Sequence, residues 1–386
     1  SSSAEQQKEK TQSNEESEDL ASESDTKNPF SRHIQWPVKK LAQTSREVEK
    51  LGGELVSVFQ KLLSCSFFPE LQPAIGVGSA FEGWSPDENQ AVYCLLMPLK
   101  APPQHTFHLE LCNKGNNSER KFRIRVDLEC TCTKKQQAKN TLCFVHQSEE
   151  ELRSQGPRLL SIMCTNSYLD VHRTVRWFHN FVKSSWGVVP ETRSYNLKLL
   201  PSRRSCKLEL TTASGRTLFV EMIFGVQVGD SDIFLVSQTT EATLLPGKIW
   251  LESCAVAEAK LLRHMARLLP PGKFHLKCLH VCTRILEGTG FSEHMLKTVV
   301  MHLLSTMDPS AWSRSNFLTL LEDVIQHLHR CLENKCLNHF FFGNENVPRE
   351  IILPPDFQTT ETLNLFQHLA QDPAAHTKAL RGFKLL

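Results

Sequence analysis

The spacing of apolar residues changes part-way along the chain, and this change limits the folds that the sequence can adopt. From about residue 91 to about residue 237, apolar residues alternate with polar ones or form short runs, which is the pattern of β-strands. The clearest case is 121–129 (KFRIRVDLE), where four apolar residues alternate with charged ones. The predicted strands are 91–97, 104–112, 121–129, 206–212, 217–224 and 232–237.

Helical spacing flanks this strand-rich region. Residues 38–63 carry apolar residues mostly three or four positions apart, with an interruption at Gly52-Gly53, and a second long helix is predicted over about 166–186. From residue 252 onward the signal is helical, in four successive apolar stripes, with Ser292 as the N-cap of the third. We therefore expect an α+β protein with two lobes, a mixed sheet with long helices followed by an all-helical lobe.

The predicted organisation has four parts. An acidic linker covers 1–30, the sheet-containing lobe covers 36–250, the helical lobe covers 251–370, and a tail covers 371–386. Residues 1–30 contain eight acids and three lysines, a net charge of 3 − 8 = −5, and almost no large apolar side chains. Such a composition predicts disorder, because it cannot bury enough apolar surface to offset the entropy lost on ordering.

The remaining charge does not favour a nucleic-acid binder. The whole chain has a net charge of +2, so the part after residue 30 carries 2 + 5 = +7, and its basic pairs are scattered. Dedicated nucleic-acid binders have a stronger and more clustered excess of positive charge. We expect a protein partner instead.

The cysteines indicate a reducing compartment. The chain has 13, an odd number, and many lie within apolar strand or helix patterns where a thiol acts as a small buried hydrophobic group. No apolar run approaches the ~18 residues that a membrane-spanning helix needs. From the cysteine usage we expect the domain to face the cytosol. Because the chain opens with Ser1, we expect a fragment, with any membrane anchor upstream of it.

The segment Gly76-Val77-Gly78-Ser79 precedes the predicted strand 91–97 in the manner of a nucleotidyltransferase turn. In those enzymes a Gly-Ser turn brings backbone N–H groups against a triphosphate, and the next strand supplies two carboxylates that hold divalent metal. A Gly-Ser pair also occurs in ordinary helix-to-strand turns, so the strand is the discriminating feature. Here the strand follows 88–90 (ENQ) and has no acid-x-acid pair.

Two acids remain as possible remnants of a metal site. Glu88 lies just before the strand, while Glu221 is the only charge in the apolar run 218–224. Glu221 points either into a cleft between the lobes or to solvent at a sheet edge. So few carboxylates cannot hold two magnesium ions and neutralise a triphosphate. We expect Gly78, Ser79, Glu88 and Glu221 to form a remnant cleft without catalytic residues.

A second candidate site has soft metal ligands. Ten residues separate Cys130-x-Cys132 from Cys143-x-x-His146. Three thiolates and an imidazole are a ligand set for a closed, tetrahedral, structural zinc site. The alternative is a set of buried thiols with a surface histidine. A disulfide is a third interpretation, and it conflicts with a reducing compartment.

Several segments carry a family resemblance. In the helical half, 274–279 (FHLKCL), 292–298 (SEHMLKT) and 337–344 (LNHFFFGN) resemble the C-terminal lobe of the Mab-twenty-one-like domain family, which shares its fold with cyclic GMP–AMP synthase. The run 75–84 (IGVGSAFEGW) and the Cys130/Cys132/Cys143/His146 pattern are similar to the inositol trisphosphate receptor-interacting proteins and their relatives. The resemblance covers roughly residues 36–370.

This resemblance implies a bilobal nucleotidyltransferase fold and, in full-length relatives, a membrane segment and an acidic linker ahead of the domain. It also implies contact with the calcium-release channel that the family name mentions. Active relatives keep three carboxylates, and this chain departs from them at the strand pair. We therefore expect a non-catalytic, membrane-tethered protein-interaction module. The alternatives are an active, metal-dependent nucleotidyltransferase that makes a cyclic dinucleotide, and a nucleotide sensor without turnover.

Overall fold

A computed structural model describes residues 38–64, 67–112, 120–130, 146, 148, 150–151, 158–238 and 244–384. The first lobe contains the strands β1 (Glu70–Leu71), β2 (Ile75–Val77), β3 (Val92–Lys100), β4 (His105–Leu111), β5 (Lys121–Leu128), β6 (Cys164–Thr165), β7 (Tyr168–Leu169), β8 (Asn196–Leu200), β9 (Cys206–Thr211), β10 (Thr217–Gln227), β11 (Phe234–Val236) and β12 (Trp250–Ser253). Its helices are α1 (Val38–Leu63), α2 (Ser79–Glu82), α3 (Leu159–Ile162) and α4 (Val171–Ser185).

The strands form a mixed sheet, as the sequence predicts. Its strand order is β1-β3-β10-β11-β12-β5-β7-β6, with β2 also paired to β3, β4 paired to β5, and the β8-β9 hairpin paired to β10. The central pair, β3 with β10, is parallel, and the other pairs are antiparallel. The predicted strand 232–237 is shorter in the structure, Phe234–Val236.

Helix α1 is continuous where the sequence predicts an interruption at Gly52-Gly53. The physical reason is packing. A Cβ atom added at Gly52 would lie 2.7 Å from Cδ1 of Leu95 in β3, so the missing side chain lets the helix approach the sheet closely. Tertiary contact thus offsets the low helix propensity of this pair.

The larger core of the first lobe lies between the sheet and the helices α1 and α4. Phe59 of α1 meets Trp177 and Phe181 of α4 with ring centroids 4.9 Å and 4.7 Å apart. Phe178 of α4 in turn meets Phe224 of β10 at 5.0 Å. The observed α4 begins at Val171, five residues later than predicted, because Asp170 accepts a hydrogen bond from the Arg173 N–H and caps it.

The second lobe is helical. It consists of α5 (Ala255–Leu268), α6 (Phe274–Ile285), α7 (Glu293–Thr306), α8 (Phe317–Glu333), α9 (Asp356–Thr359), α10 (Gln367–Gln371) and α11 (Pro373–Lys384). The predicted cap is present, since the Ser292 hydroxyl accepts a hydrogen bond from the Met295 N–H at 3.2 Å. The core of this lobe includes Trp312 and the consecutive residues 340–342 (FFF), all of them buried.

Two of the predicted domain boundaries fall within secondary structure, at β12 and at the end of α10. The boundary at 250/251 falls inside β12, whose pairing with β5 and β11 keeps it in the sheet. The predicted tail, 371–386, contains α11, and Phe383 of this helix stacks on His329 of α8 with ring centroids 4.9 Å apart. The sequence prediction overlooked this helix because its apolar stripe is short.

One arginine joins the two lobes. The Arg120 guanidinium, just before β5, donates two hydrogen bonds to Glu252 of β12 at 2.8 Å and 2.6 Å, and a third to Asp356 of α9 at 2.8 Å. It also lies over the rings of Phe342 and Phe357, each centroid 5.5 Å away. These contacts fix the helical lobe against the end of the sheet.

Candidate functional site

The Gly-Ser turn lies between β2 and α2. Gly78 has φ +87° and ψ 176°, a conformation that only glycine adopts readily. Ser79 begins α2, a single turn that ends at Glu82, and the carbonyl of Ser79 accepts hydrogen bonds from the N–H groups of residues 83–85. The chain therefore makes a tight turn here, as the sequence predicts.

The sheet register places this turn close to Glu221. Val77, the residue before the turn, pairs with Cys94 of β3, and Cys94 pairs with Glu221 of β10. The three residues form one row across β2, β3 and β10. The Gly78-Ser79 turn therefore begins one residue after the row that contains Glu221.

Glu221 is almost completely buried and satisfied by hydrogen bonds. Its Oε1 atom accepts from the Ser205 hydroxyl at 2.7 Å and from the Gln238 side-chain amide at 2.8 Å. The Lys207 ammonium lies 4.0 Å from the same oxygen. Two neutral donors and one lysine therefore lie around this carboxylate.

The face of β3 beside Glu221 carries no acid. Side chains alternate along a strand, so Val92, Cys94 and Leu96 share the face that Glu221 occupies on the neighbouring strand. Burial, followed by the charge of Glu221, raises the pKa of the Cys94 thiol. Cys94 is therefore a neutral thiol at physiological pH. The β3 side chains next to Glu221 supply neither negative charge nor oxygen ligands.

Glu88 is engaged elsewhere. It lies in the loop before β3, where its Oε1 atom accepts a hydrogen bond from the Lys40 ammonium of α1 at 3.2 Å. Lys40 also donates to the side chain of Asn89 at 3.2 Å. Within the described residues, no group of three or more His, Cys, Asp or Glu side chains is arranged to hold a metal ion.

An acid from the second lobe faces the turn. Glu293 lies in the first turn of α7, and its interaction with the Ser79 hydroxyl lowers its carboxyl pKa, although desolvation raises the pKa overall. In a nucleotidyltransferase this serine would face the triphosphate. Here the carboxyl group of Glu293 lies beside it instead.

A buried ion cluster joins α2 to the second lobe. The Lys297 ammonium of α7 contacts the carboxylates of Glu82 in α2 and of Glu258 in α5, the latter at 2.7 Å. Each of the three side chains is less than a tenth exposed. His294 adds an Nδ1 contact to Glu258 at 3.5 Å, and the Trp84 indole N–H lies 3.5 Å from Glu82.

The charges in this cluster depend on each other. Burial lowers the pKa of Lys297, but the charges of Glu258 and Glu82 outweigh it and raise the pKa overall. For Glu82 burial prevails and raises the pKa, whereas for Glu258 the charges of Lys297 and His294 prevail over burial and lower it. Lys297 is thus held charged at neutral pH. Among the described residues it is the only lysine or arginine that contacts Glu82 or Glu258.

This cluster was not predicted from the sequence. Glu82 was noted only within the run 75–84, which carries the family resemblance. Glu293 and Lys297 have the i, i+4 spacing of an exposed ion pair on a helix surface. One available signal was position, because Lys297 falls within the largely apolar run 295–301 (MLKTVVM). The structure buries this run from Leu296 onward. A lysine within such a segment needs a buried acid as its partner.

The structure describes two of the four predicted zinc ligands, Cys130 and His146. The Cys130 sulfur lies 3.3 Å from Nε2 of His146, so the structure brings together these two predicted ligands. Cys132 and Cys143 lie outside the described residues. A thiol and an imidazole at this distance suit zinc ligation, since the tetrahedral site would place the metal between them.

In the portions of the chain that the structure describes, no helix combines the length and the apolar character needed to cross a bilayer.

Comparison with known proteins gives the family. Residues 275–376 match the Mab-21 protein HhH/H2TH-like domain. Over 365 residues the chain is 32% identical to the inositol 1,4,5-trisphosphate receptor-interacting protein-like 1 of Rattus norvegicus, an alignment that covers 92% of this chain and 66% of that protein. The mouse protein of the same name is 33% identical with the same coverage. The human inositol 1,4,5-trisphosphate receptor-interacting protein is 27% identical over 376 residues, 92% of this chain and 69% of its own length.

The chain spans 66% of the length of its rat and mouse relatives. The mixed sheet, the Gly-Ser turn and the helical lobe agree with the α+β, nucleotidyltransferase-like fold that the sequence predicts. This chain belongs to the inositol 1,4,5-trisphosphate receptor-interacting protein-like family, whose second lobe is a Mab-21 domain.

Proposed function

We propose that this chain is a non-catalytic protein-interaction module built on a nucleotidyltransferase fold. The observation that carries the proposal is the pairing of Cys94 with Glu221. The residue beside Glu221 on β3 is a neutral thiol, and β3 contains no acid.

The electrostatics support this proposal. Two-metal phosphoryl transfer needs several carboxylates converging on a pair of divalent cations. Glu221 provides one carboxylate, already hydrogen-bonded to Ser205 and Gln238, while Glu88 pairs with Lys40. The Glu293 carboxyl lies beside Ser79, at the place where a triphosphate would bind.

The partner proposed for this module is the inositol 1,4,5-trisphosphate receptor. This proposal rests on the name of the human relative, which describes a protein that interacts with that receptor, and on the names of the rat and mouse relatives, which describe proteins like it. We further propose that the full-length protein is tethered to a membrane by a segment outside this chain, with this domain in the cytosol. The buried, free thiols of Cys206, Cys278 and Cys282 agree with a reducing compartment.

Calorimetry tests the catalytic part of the proposal. ATP and GTP would be titrated into the chain with and without magnesium, in parallel with the variant Glu221→Gln. We expect no magnesium-dependent binding and no turnover in either protein. Tight, magnesium-dependent binding with turnover that Glu221→Ala abolishes would establish an enzyme instead. Binding that is independent of magnesium and without turnover would establish a nucleotide sensor.

Proximity labelling in cells tests the partner. The full-length protein, fused to a labelling enzyme, should label the receptor well above the level given by the labelling enzyme alone. The variant Glu221→Gln should give the same labelling, because the interaction does not use the cleft chemistry. Labelling at the background level would refute the proposed partner while leaving the calorimetric result unaffected. Fractionation of the same cells tests the membrane tether.

A further inference from the structure

Helix α4 has one basic side. This side carries four residues at intervals of four, three and four positions, a spacing that aligns them along the helix: His172, Arg176, His179 and Lys183. The opposite side carries the buried residues Val175, Phe178 and Val182. The basic side contains no acid, and Arg176 and Lys183 are exposed.

A neighbouring loop extends this positive surface. The charges of Arg203 and Arg204, in the loop before β9, reach His172, as does that of Arg176. Arg204 is itself used structurally, since its guanidinium donates to the backbone carbonyls of Ser237, Pro246 and Ile249. Arg203 is exposed. We call His172, Arg176, His179, Lys183 and Arg203 the basic face.

The three cations of the basic face, Arg176, Lys183 and Arg203, form no ion pair with an acid among the described residues. The ion pairs of this region are Lys50 with Glu191 and Lys198 with Glu209, and none involves Arg176, Lys183 or Arg203. Asp170 is nearby, and its charge acts on His172, although burial lowers the pKa of that histidine overall. The Asp170 oxygens accept from neutral donors, Oδ1 from the Arg173 N–H at 3.1 Å and Oδ2 from the Thr165 hydroxyl at 3.0 Å. Burial also lowers the pKa of His179. The positive charge that the face presents to solvent is therefore that of Arg176, Lys183 and Arg203.

The same chain contains a segment of opposite charge. Residues 1–30 hold eight acids and three lysines, a net charge of −5, and lead into α1. Phe59 of α1 packs directly against Phe178 and Phe181 of α4. Val38 and Phe59 are 21 residues apart on the helix, about 32 Å at ~1.5 Å per residue. The 37 residues before α1 can extend to about 120 Å, so reach is not limiting.

We propose that the acidic segment 1–30 binds the basic face of α4 within the same chain. Tethering gives the segment a high effective concentration at the face, so weak and exposed ion pairs are sufficient. The contact would shield the face from other polyanions, and salt would release it.

Cross-linking tests the contact directly. A carbodiimide joins a lysine amine to a carboxylate only where the two touch, and Lys183 is the one lysine of the basic face. In the full chain at low salt we expect Lys183 to be joined to Asp or Glu residues of 1–30. The product should disappear at about 1 M salt, where the Debye length is about 3 Å. The variant Lys183→Arg keeps the charge and removes the amine, so it should lose the product.

Proteolysis tests the face as a whole. In one variant Arg176, Lys183 and Arg203 are all replaced by Glu. A glutamate-specific protease should then cleave within 1–30 about tenfold faster, because roughly three exposed ion pairs are lost. The matched control reverses three exposed cations of the helical lobe, Arg263, Arg267 and Lys378, with the same change in net charge. The control should cleave at the original rate.

Two outcomes would overturn the proposal. One is equal cleavage of the original chain and the basic-face variant when both melt at the same temperature. The other is binding of phosphatidylserine vesicles or duplex DNA by the full chain, through the basic face, without any change in the cleavage rate of 1–30. The latter would assign the face to a different polyanion.

Discussion

Cys94 of β3 lies opposite Glu221 of β10 in the parallel pair at the centre of the sheet, and the charge of Glu221 contributes to the raised thiol pKa. This thiol takes a position where a second carboxylate would create a metal site. The identity of one side chain, at position 94, therefore accounts for the missing negative charge. Placing an acid at this position tests that conclusion.

The variant Cys94→Asp should lower the free energy of unfolding by about 2–4 kcal/mol without divalent metal, because two carboxylates then share a largely buried place. Millimolar magnesium or manganese should recover part of the loss. Thermal melts with and without the metals measure both effects. Cys94→Asn is the matched control, since it has a similar shape and no charge. Equal melting temperatures for the Asp and Asn variants, with or without metal, would contradict the prediction.

The variant Lys297→Met should destabilise the protein by about 3–5 kcal/mol at neutral pH, because it leaves the carboxyl groups of Glu82 and Glu258 buried without their cation. Urea unfolding measures the change. The control is Lys260→Met, which removes a half-buried ion pair with Asp232 and should cost about 1 kcal/mol or less. Similar losses in the two variants would show that the buried cluster contributes no more than a surface pair.

The protein should lose stability as the pH falls from about 6.5 to about 4. Burial lowers the pKa of His275 and of His339 from 6.5 to about 4. Between these values the unfolded chain binds a proton at each histidine and the folded chain does not, so unfolding becomes easier with acid. A shift of this size corresponds to about 3 kcal/mol for each histidine.

The variant His275→Leu isolates one of these contributions. His275 is 1% exposed, and its Nδ1 atom has no hydrogen-bond partner among the described residues. Its replacement should flatten the dependence of unfolding free energy on pH, measured in urea at pH 7.0, 5.5 and 4.5. The exposed His368→Leu variant should keep the original slope. An unchanged slope in His275→Leu would show that His275 does not titrate as its burial requires.

Protein purified without chelators should contain about one zinc ion per chain, measured by elemental analysis, if Cys130, Cys132, Cys143 and His146 ligate zinc. The variant Cys130→Ser should lose most of this metal, because its thiolate would be one of the four ligands. Cys336→Ser, which changes an exposed thiol in the helical lobe, should retain it. A zinc content near zero in the unmodified protein would rule out the site.

The pattern of apolar residues was sufficient for the architecture of this protein. Alternation and helical spacing depend on which side of a strand or helix is buried, and that is a local property of the sequence. The mixed sheet, the helical second lobe, the Ser292 cap and the Gly78-Ser79 turn could therefore be predicted. Local patterns also revealed that the strand after the turn has no acid pair.

Only the tertiary structure decided which charged groups meet. Glu221 could face a cleft or solvent until the β3–β10 register put it beside Cys94, and Lys297 resembled a surface lysine until α2, α5 and α7 enclosed it with two carboxylates. Likewise, the helix continues through Gly52-Gly53, where β3 packs closely against Gly52. Each of these outcomes depends on contacts between residues far apart in sequence, because burial and pairing energies arise only after the chain has folded.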